Sequence, residues 1–430
     1  MMNAPHALLN ARLLDPATNT DTMGGVLIKD GLILDWGTHI KADALPDGAT
    51  YENCHGKCLS PGLVDAHAYL CEPGKEHRET METAGHAAAA GGITTINAFP
   101  ATEPVIDDPS IVEVIARRAR ETCSVNICIT GALSKGLEGK EMAELGLLCE
   151  AGVVAFSDGQ KAIGDINLMR RTLAYSTMFN KPIIVHAEEP ALVGSGVMTG
   201  GRTATAMGLK SIPSCAEAIL VERDIRLIAM TGATWHAAHL STLDALNSIR
   251  RAKDEQLHVT AGTAPHYHAL NDLEVGEYRT FARVSPPLRE EDDRRAVVAA
   301  IKDGTIDVIS SQHLPQSADS KRLPFSQAKP GVVGLETMLP VSLRLYHNGE
   351  VGLLDLLRTM TVGPAKLLGL ACGKIETGKP ADLCLFDLEK PWQLDATLLK
   401  SKSKNTAFDG HLLQGRILKT FVSGTVVFEL

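Results

Sequence analysis

Histidine and carboxylate side chains recur at the ends of short apolar runs in this chain. The runs close with Asp65-Ala66-His67-Ala68-Tyr69-Leu70-Cys71, Ser157-Asp158-Gly159, His186-Ala187-Glu188-Glu189, His236-Ala237-Ala238-His239, His266-Tyr267-His268 and Ser310-Ser311-Gln312-His313-Leu314-Pro315-Gln316. A lone histidine is more often a hydrogen-bonded structural group than a ligand. Several converging from different strands can form a metal or acid–base site. A hydrolytic metal centre also needs carboxylates, which bridge ions or take the proton of the attacking water. Gln312 can do neither, because a neutral amide accepts no proton at useful pH and offsets no metal charge. On residue chemistry alone this is a poor metal site.

The elements that must position these groups follow a regular rhythm. Eight apolar runs read as strands: Gly62–Leu70, Gly92–Phe99, Val125–Thr130, Gly152–Ser157, Pro182–His186, Thr234–His239, His258–Thr263 and Thr305–Ser311. Helical patterns lie between them, at Glu76–Ala90, Pro109–Thr122, Ser214–Met230 and Arg294–Lys302. Alternation of this kind signals parallel βα units, and this number of them predicts a closed (β/α)8 TIM-type barrel with an open α/β sheet as the alternative. Chemistry in such a barrel sits at the C-terminal strand ends, where the residues above fall.

Both ends of the chain read differently. Ala7–Leu14, Gly25–Lys29 and Leu32–Trp36 are strands, with Asp30-Gly31 as a hairpin turn. Ala381–Phe386, Ile417–Val422 and Thr425–Phe428 mirror them around a Ser423-Gly424 turn. Together they predict a small β-sandwich domain built from residues 1–58 and 373–430, around a barrel of residues 59–372. The polar stretch from Lys390 to Gly410 is expected to wrap the surface. Gly91-Gly92 reads as a helix-to-strand turn, Asp65 as a packing or hydrogen-bonding residue and Trp235 as wall.

Composition narrows the function classes. The chain has 430 residues, 44% of them apolar and 22% charged, as expected of a soluble globular protein. A net charge of −9 argues against nucleic acid as a partner. No run approaches the ~20 apolar residues of a membrane helix, and Met1 to Leu14 lacks the pattern of a secretory signal. The nine cysteines include no CxxC pair, which suits a reducing cytoplasm. Cys54, His55 and Cys58 are close enough to suggest zinc, but no second ligand pair follows, and buried apolar thiols are the preferred reading.

Further motifs carry a resemblance. Pro61-Gly62-Leu63-Val64-Asp65-Ala66-His67, Glu72-Pro73-Gly74, Ala87–Gly92 with Ile93-Thr94-Thr95, and Leu168-Met169-Arg170-Arg171 occur in order. Gly196-Val197-Met198, Ala238-His239-Leu240-Ser241-Thr242, Pro286-Pro287-Leu288-Arg289, Gly331–Thr337 and Ser401–Gly410 follow. Over nearly its whole length the chain resembles the dihydroorotases of the amidohydrolase superfamily. That resemblance implies the barrel with a β domain from both termini, a zinc-dependent C–N bond hydrolysis and a place in pyrimidine (UMP) biosynthesis.

It also identifies what is missing. In the family, strand one supplies two zinc-ligating histidines; here His67 stands at the first place and Tyr69 at the second. The ligating aspartate after strand four is Gly159, beside a retained Asp158. His186 and His239 match the histidines of strands five and six. The strand-eight aspartate, both ligand and catalytic base, is Gln312. The arginine that grips the substrate carboxylate is Cys71, and the other polar substrate contacts are Ala101, Ser285 and Gln316. Three of six expected metal ligands and all four substrate contacts are thus replaced.

Drift would have eroded the scaffold motifs as well, and they stand. The chain therefore most resembles inactive dihydroorotase homologues that serve aspartate carbamoyltransferase as non-catalytic partners, and an oligomeric, cytoplasmic protein is expected. His67, His186 and His239 could hold one zinc ion weakly, in the manner of a three-histidine site; the preferred reading makes them relics. Two alternatives stay open: an active dihydroorotase or other zinc-dependent cyclic amidase with an aberrant site, and a sensor that uses the emptied pocket without chemistry.

Overall fold

The computed structural model describes residues 4–430; Met1, Met2 and Asn3, the start of the expected terminal β domain and of the segment read for a signal, lie outside the described residues. Eight parallel strands follow one another around a barrel in chain order: Leu63–Ala68, Ile93–Ala98, Asn126–Gly131, Ala155–Phe156, Ile183–Val185, Trp235–Ala237, Val259–Thr263 and Val308–Ile309. A parallel bridge between Ala68 and His313 closes the ring. Each falls on one of the expected runs, and the open-sheet alternative is excluded. Trp235 is fully buried, as its reading as wall requires.

A second sheet of eight strands is built from both ends of the chain. His6–Asp15 pairs antiparallel with Thr20–Lys29 and parallel with Cys58–Pro61, which pairs in turn with Leu383–Gln393. The two expected hairpin turns form as read. Asp30 and Gly31 have φ of 50° and 82°, and Ser423 and Gly424 have 45° and 71°. Two successive left-handed residues give the turn twist that matches paired strands.

Helix boundaries follow local capping. Pro109–Thr122 begins at N-cap Asp108, which accepts from Ser110 N, with proline at the first helical position. The first barrel helix runs Met81–Ala90 rather than from Glu76. Thr80 forms a capping box with Thr83 there, and Glu79 is taken out of helical work. Its buried carboxylate accepts from Ser401 Oγ, Thr83 Oγ1 and the Lys402 backbone (2.9 Å), and lies 3.3 Å from His313 Nε2.

The stretch from Lys390 to Gly410 corrects a second expectation. It is polar in sequence, yet Leu399, Ser401, Asn405, Thr406, Ala407 and Phe408 are buried. Asn405 works as a clip on the strand-eight loop. Its amide nitrogen donates to Gly331 O at 3.0 Å, and its Oδ1 accepts from Gln316 N at 3.1 Å. The polarity serves specific internal partners rather than water.

Candidate functional site

The barrel mouth brings together most of the residues singled out above, but not as a metal centre. His67 leaves the first strand 3% exposed. Its ring stacks on Phe99 with centroids 3.6 Å apart and planes within 13°. It also tilts against His239 at 4.2 Å and Tyr69 at 5.3 Å. Neither nitrogen of His67 has a hydrogen-bond partner, nor does Nδ1 of His239, whose Nε2 lies 3.2 Å from Ser310 Oγ. Burial, with neighbouring histidines adding to it, pushes both imidazoles well below their ordinary value, so both rings are neutral.

The third surviving histidine, close enough for its charge to be felt by the other two, has hydrogen-bond partners of its own. His186 Nε2 lies 3.0 Å from Glu188 Oε2 and 3.1 Å from Ser285 Oγ. The Ser285 hydroxyl donates to the same Glu188 oxygen at 2.8 Å. Burial alone would raise the Glu188 carboxyl, but His186, Arg289 and Ser285 outweigh it and hold it below the usual range. Arg289 also contacts Glu217, whose carboxylate accepts from the backbone and hydroxyls of Ser241 and Thr242. His186 is thus anchored in a buried ionic network that fastens strand five to the Pro286–Arg289 segment.

Among the replaced positions Gln312 is engaged at both ends of its amide, whereas the Tyr69 hydroxyl and Gln316 Oε1 have no partner. Gln312 sits in the left-handed region with φ of 48°. His266 Nε2 donates to its side-chain oxygen at 2.5 Å, and its amide nitrogen donates to Ser285 O at 2.7 Å. Asp158 survives but accepts from Leu133 N at 3.0 Å, Ser134 N at 2.9 Å and the Ser134 hydroxyl. Asp65 is likewise spent on Ser311 and on the backbone of His67.

Tyr69 and Gly159 are spatial complements. A Cβ built on Gly159 would lie 3.1 Å from the Tyr69 hydroxyl, so the tyrosine fills the room that a side chain at 159 would need. Cys71 is buried at φ of 61°, and burial pushes its thiol up to about 12, which removes it as a nucleophile. Cys54 and Cys58 pack in two different apolar clusters.

The donors do not fit a hydrolytic metal group. Among the described residues no three His, Cys, Asp or Glu side chains converge on one point; Asp158 and Asp65 are taken up by protein donors, and Glu188 is committed to His186, Ser285 and Arg289. His236, His268 and His313, also named in the sequence, are fixed elsewhere. They face Thr260 at 2.8 Å, Ser342 at 3.3 Å and the backbone of Gly334 at 3.3 Å.

The mouth itself is divided. One cavity of about 240 Å³ is lined by Tyr69, Cys71, Ala101, Asp158 and Gln316, among others. A second, of about 330 Å³, is lined by His186, Glu188 and Ser285. Gln160 and Lys161 border both, whereas His67 and His239 line neither. The roles of Phe99 and Glu188, and of the basic residues in these walls, had no signal in the sequence beyond proximity to a motif.

Buried neutral histidines give the fold an acid limit. Burial pulls His266 down to about 4, and His236 and His268 to about 3. The unfolded chain takes up these protons near pH 6.5, the folded one only below about 4. Their contribution is complete above pH 6.5 and is lost as pH falls from there toward 4, at about 1.4 kcal/mol per pH unit per proton. Glu79 and Glu188, held below the usual range, act in the same direction; Asp65 and Asp158, pushed up by burial, oppose it. Lys321, pulled down to about 7, and Glu336 and Asp224, pushed up to about 7 and about 6, also titrate in this range, so the check is a difference: below pH 6.5 the thermal midpoint of His266→Gln should fall less steeply than that of the parent protein. Parallel limbs for the two proteins would remove His266 from the account.

Comparisons agree with the architecture. A family model described as dihydro-orotase-like matches residues 56–245. A dihydroorotase of Pelobacter propionicus is 42% identical over 420 residues, covering 98% of both chains. Another, from Acetivibrio thermocellus, is 42% identical over 416 residues, covering 96% of this chain and 97% of the relative. Among solved structures, the L-hydantoinase (dihydropyrimidinase) of Arthrobacter aurescens superposes with a TM-score of 0.89 at 25% identity, over 100% of this chain and 96% of that one. The dihydropyrimidinase of Brevibacillus agri gives 0.85 at 22%, over 99% and 95%, a likeness of fold. With such relatives aligned from end to end, and a barrel whose strand ends fall where the motifs predict, the chain belongs to the dihydroorotase family.

Proposed function

We propose that this protein is a dihydroorotase-like component of pyrimidine biosynthesis that does not open the dihydroorotate ring efficiently, and that it serves aspartate carbamoyltransferase as a non-catalytic, oligomeric partner. One observation carries the loss of chemistry. At the position of the base stands an amide locked between His266 and the Ser285 carbonyl, and among the described residues no three His, Cys, Asp or Glu side chains gather as they would around a metal. Zinc, on this reading, is held weakly or not at all. The partner rests on the resemblance to inactive homologues and on the intact scaffold.

The partnership has its own test. Aspartate carbamoyltransferase from the same organism should co-purify with the tagged chain in a fixed ratio, and its activity or stability should fall when the chain is withheld. Independent migration of the two proteins on gel filtration, with unchanged transferase kinetics, would remove the partnership.

A second reading has a specific observation in its favour: relatives at 42% identity over nearly full length are named dihydroorotases. On that reading the altered mouth is a working cyclic amidase site. Zinc-dependent turnover separates the two.

A further inference from the structure

A cavity of about 370 Å³ lies away from the barrel mouth, between the terminal sheet and the stretch from Lys390 to Gly410. Its walls include Trp392, Arg416 and Phe428 of the sheet, with Glu336, Leu398 and Lys400. None of the retained or replaced positions of the mouth lines it. It is larger than either cavity there and falls within the roughly 300–1,000 Å³ of small-molecule sites. Leu398, at 73% exposed, leaves apolar surface at its edge.

Two opposite charges in these walls stay apart. Glu336 Oε1 accepts from the backbone nitrogens of Lys400 and Ser401, at 2.7 and 3.2 Å, while its Oε2 accepts from no described residue. Burial pushes this carboxyl up to about 7, as expected of a charge without a counter-ion. The Arg416 guanidinium lies over the Trp392 ring at 4.7 Å and has no carboxylate partner among the described residues. Asp387, opposite Arg416 in the sheet, is taken by Lys57 at 2.6 Å. The other acidic side chains of the walls are also spent: Asp395 Oδ1 accepts from Thr397, and Glu429 pairs with Lys419 at 3.0 Å.

We propose that this cavity binds an α-amino acid with an apolar side chain, aromatic for preference. A carboxylate and a guanidinium that line one space without closing on each other fit a ligand carrying both charges. The ligand ammonium donates to Glu336 Oε2, and its carboxylate accepts from Arg416, with Lys400 adding positive charge. Charge-assisted bonds at both ends fix its orientation, while its apolar body covers Phe428 and Leu398. A molecule with only one of the two charges satisfies half of the site. The proposal does not depend on whether the barrel mouth turns over a substrate.

Calorimetry with three probes tests it: L-phenylalanine, phenethylamine, which lacks the carboxylate, and 3-phenylpropanoate, which lacks the amine. L-Phenylalanine should saturate one site per chain, and each singly charged probe should bind about tenfold or more weakly. Glu336→Gln should weaken L-phenylalanine and phenethylamine by about tenfold and leave 3-phenylpropanoate unchanged. Arg416→Gln should do the reverse, weakening L-phenylalanine and 3-phenylpropanoate only. Glutamine at 336 keeps an oxygen for the Lys400 and Ser401 backbones, so circular dichroism should not change. The probe series on the parent protein decides the matter even where a substitution disturbs the fold. Equal affinities for the three probes, no saturation below about 10 mM, or folded variants that weaken all three alike would overturn the site.

Discussion

Purified protein supplied with zinc and dihydroorotate is expected to open the ring at least ~10⁴-fold more slowly than the dihydroorotases it resembles, with a residual rate that a chelator does not change. That magnitude follows from losing one member of a cooperating catalytic set, which already costs about 10⁴-fold or more. On the proposed reading several are replaced here, and the groups that remain are mostly held by their neighbours. Gln312 is hydrogen-bonded on both ends of its amide. Asp158 accepts three hydrogen bonds from the loop at Leu133 and Ser134. His67 is stacked against Phe99. No carboxylate stands at position 312 to take a water's proton, and the His67 and His239 rings lie outside both cavities of the mouth. Metal analysis of the same sample should find well under one zinc per chain. A chelator-sensitive rate within tenfold of ordinary dihydroorotases would sink the reading outright.

The second large effect concerns repair. Gly159→Asp alone should destabilise the fold by about 1–3 kcal/mol, because the new side chain meets the Tyr69 hydroxyl at a backbone φ of 69°. In a Tyr69→His background the same change should cost less. The two positions are in contact, and contacting substitutions couple by about 0.5–3 kcal/mol. Adding Gln312→Asp should then raise zinc binding toward stoichiometric occupancy, read by elemental analysis. Ring opening should still lag by at least ~10²-fold, since Cys71 offers no cation to a substrate carboxylate, and each charge-assisted bond is worth about 1.5–3 kcal/mol. Equal destabilisation in both backgrounds would mean that Tyr69 and Gly159 changed independently. Full activity from the triple variant would mean that the substrate contacts had never been lost.

Much of the fold is legible in the chain itself. Barrel strands are short, doubly buried and bounded by turns, so period and punctuation alone locate all eight. The Asp30-Gly31 and Ser423-Gly424 turns declare themselves because few residues adopt two left-handed conformations in a row. The resemblance then names the replaced positions, and each of them lies in or against the mouth. Long-range pairings of polar groups are not legible. Glu79 sits in a stretch with helical propensity, but Ser401 and Lys402, more than 300 residues away, claim it. Asn405 and Phe408 lie in a polar stretch that reads as solvated, yet they are internal. Likewise the basic wall of the smaller cavity comes from loops after strands one, four and eight, and no spacing in the chain joins Lys75 to Lys329.

The sheet shared by the two termini also constrains how the protein comes into being. Leu59 pairs with Leu385, and the backbone of Ile33 donates to Lys379 at 2.9 Å. The first strands to leave the ribosome must therefore wait, with an open edge, until almost the entire chain has been translated. Pairings this distant in sequence form slowly, and an unpaired edge in the meantime invites association with other nascent chains.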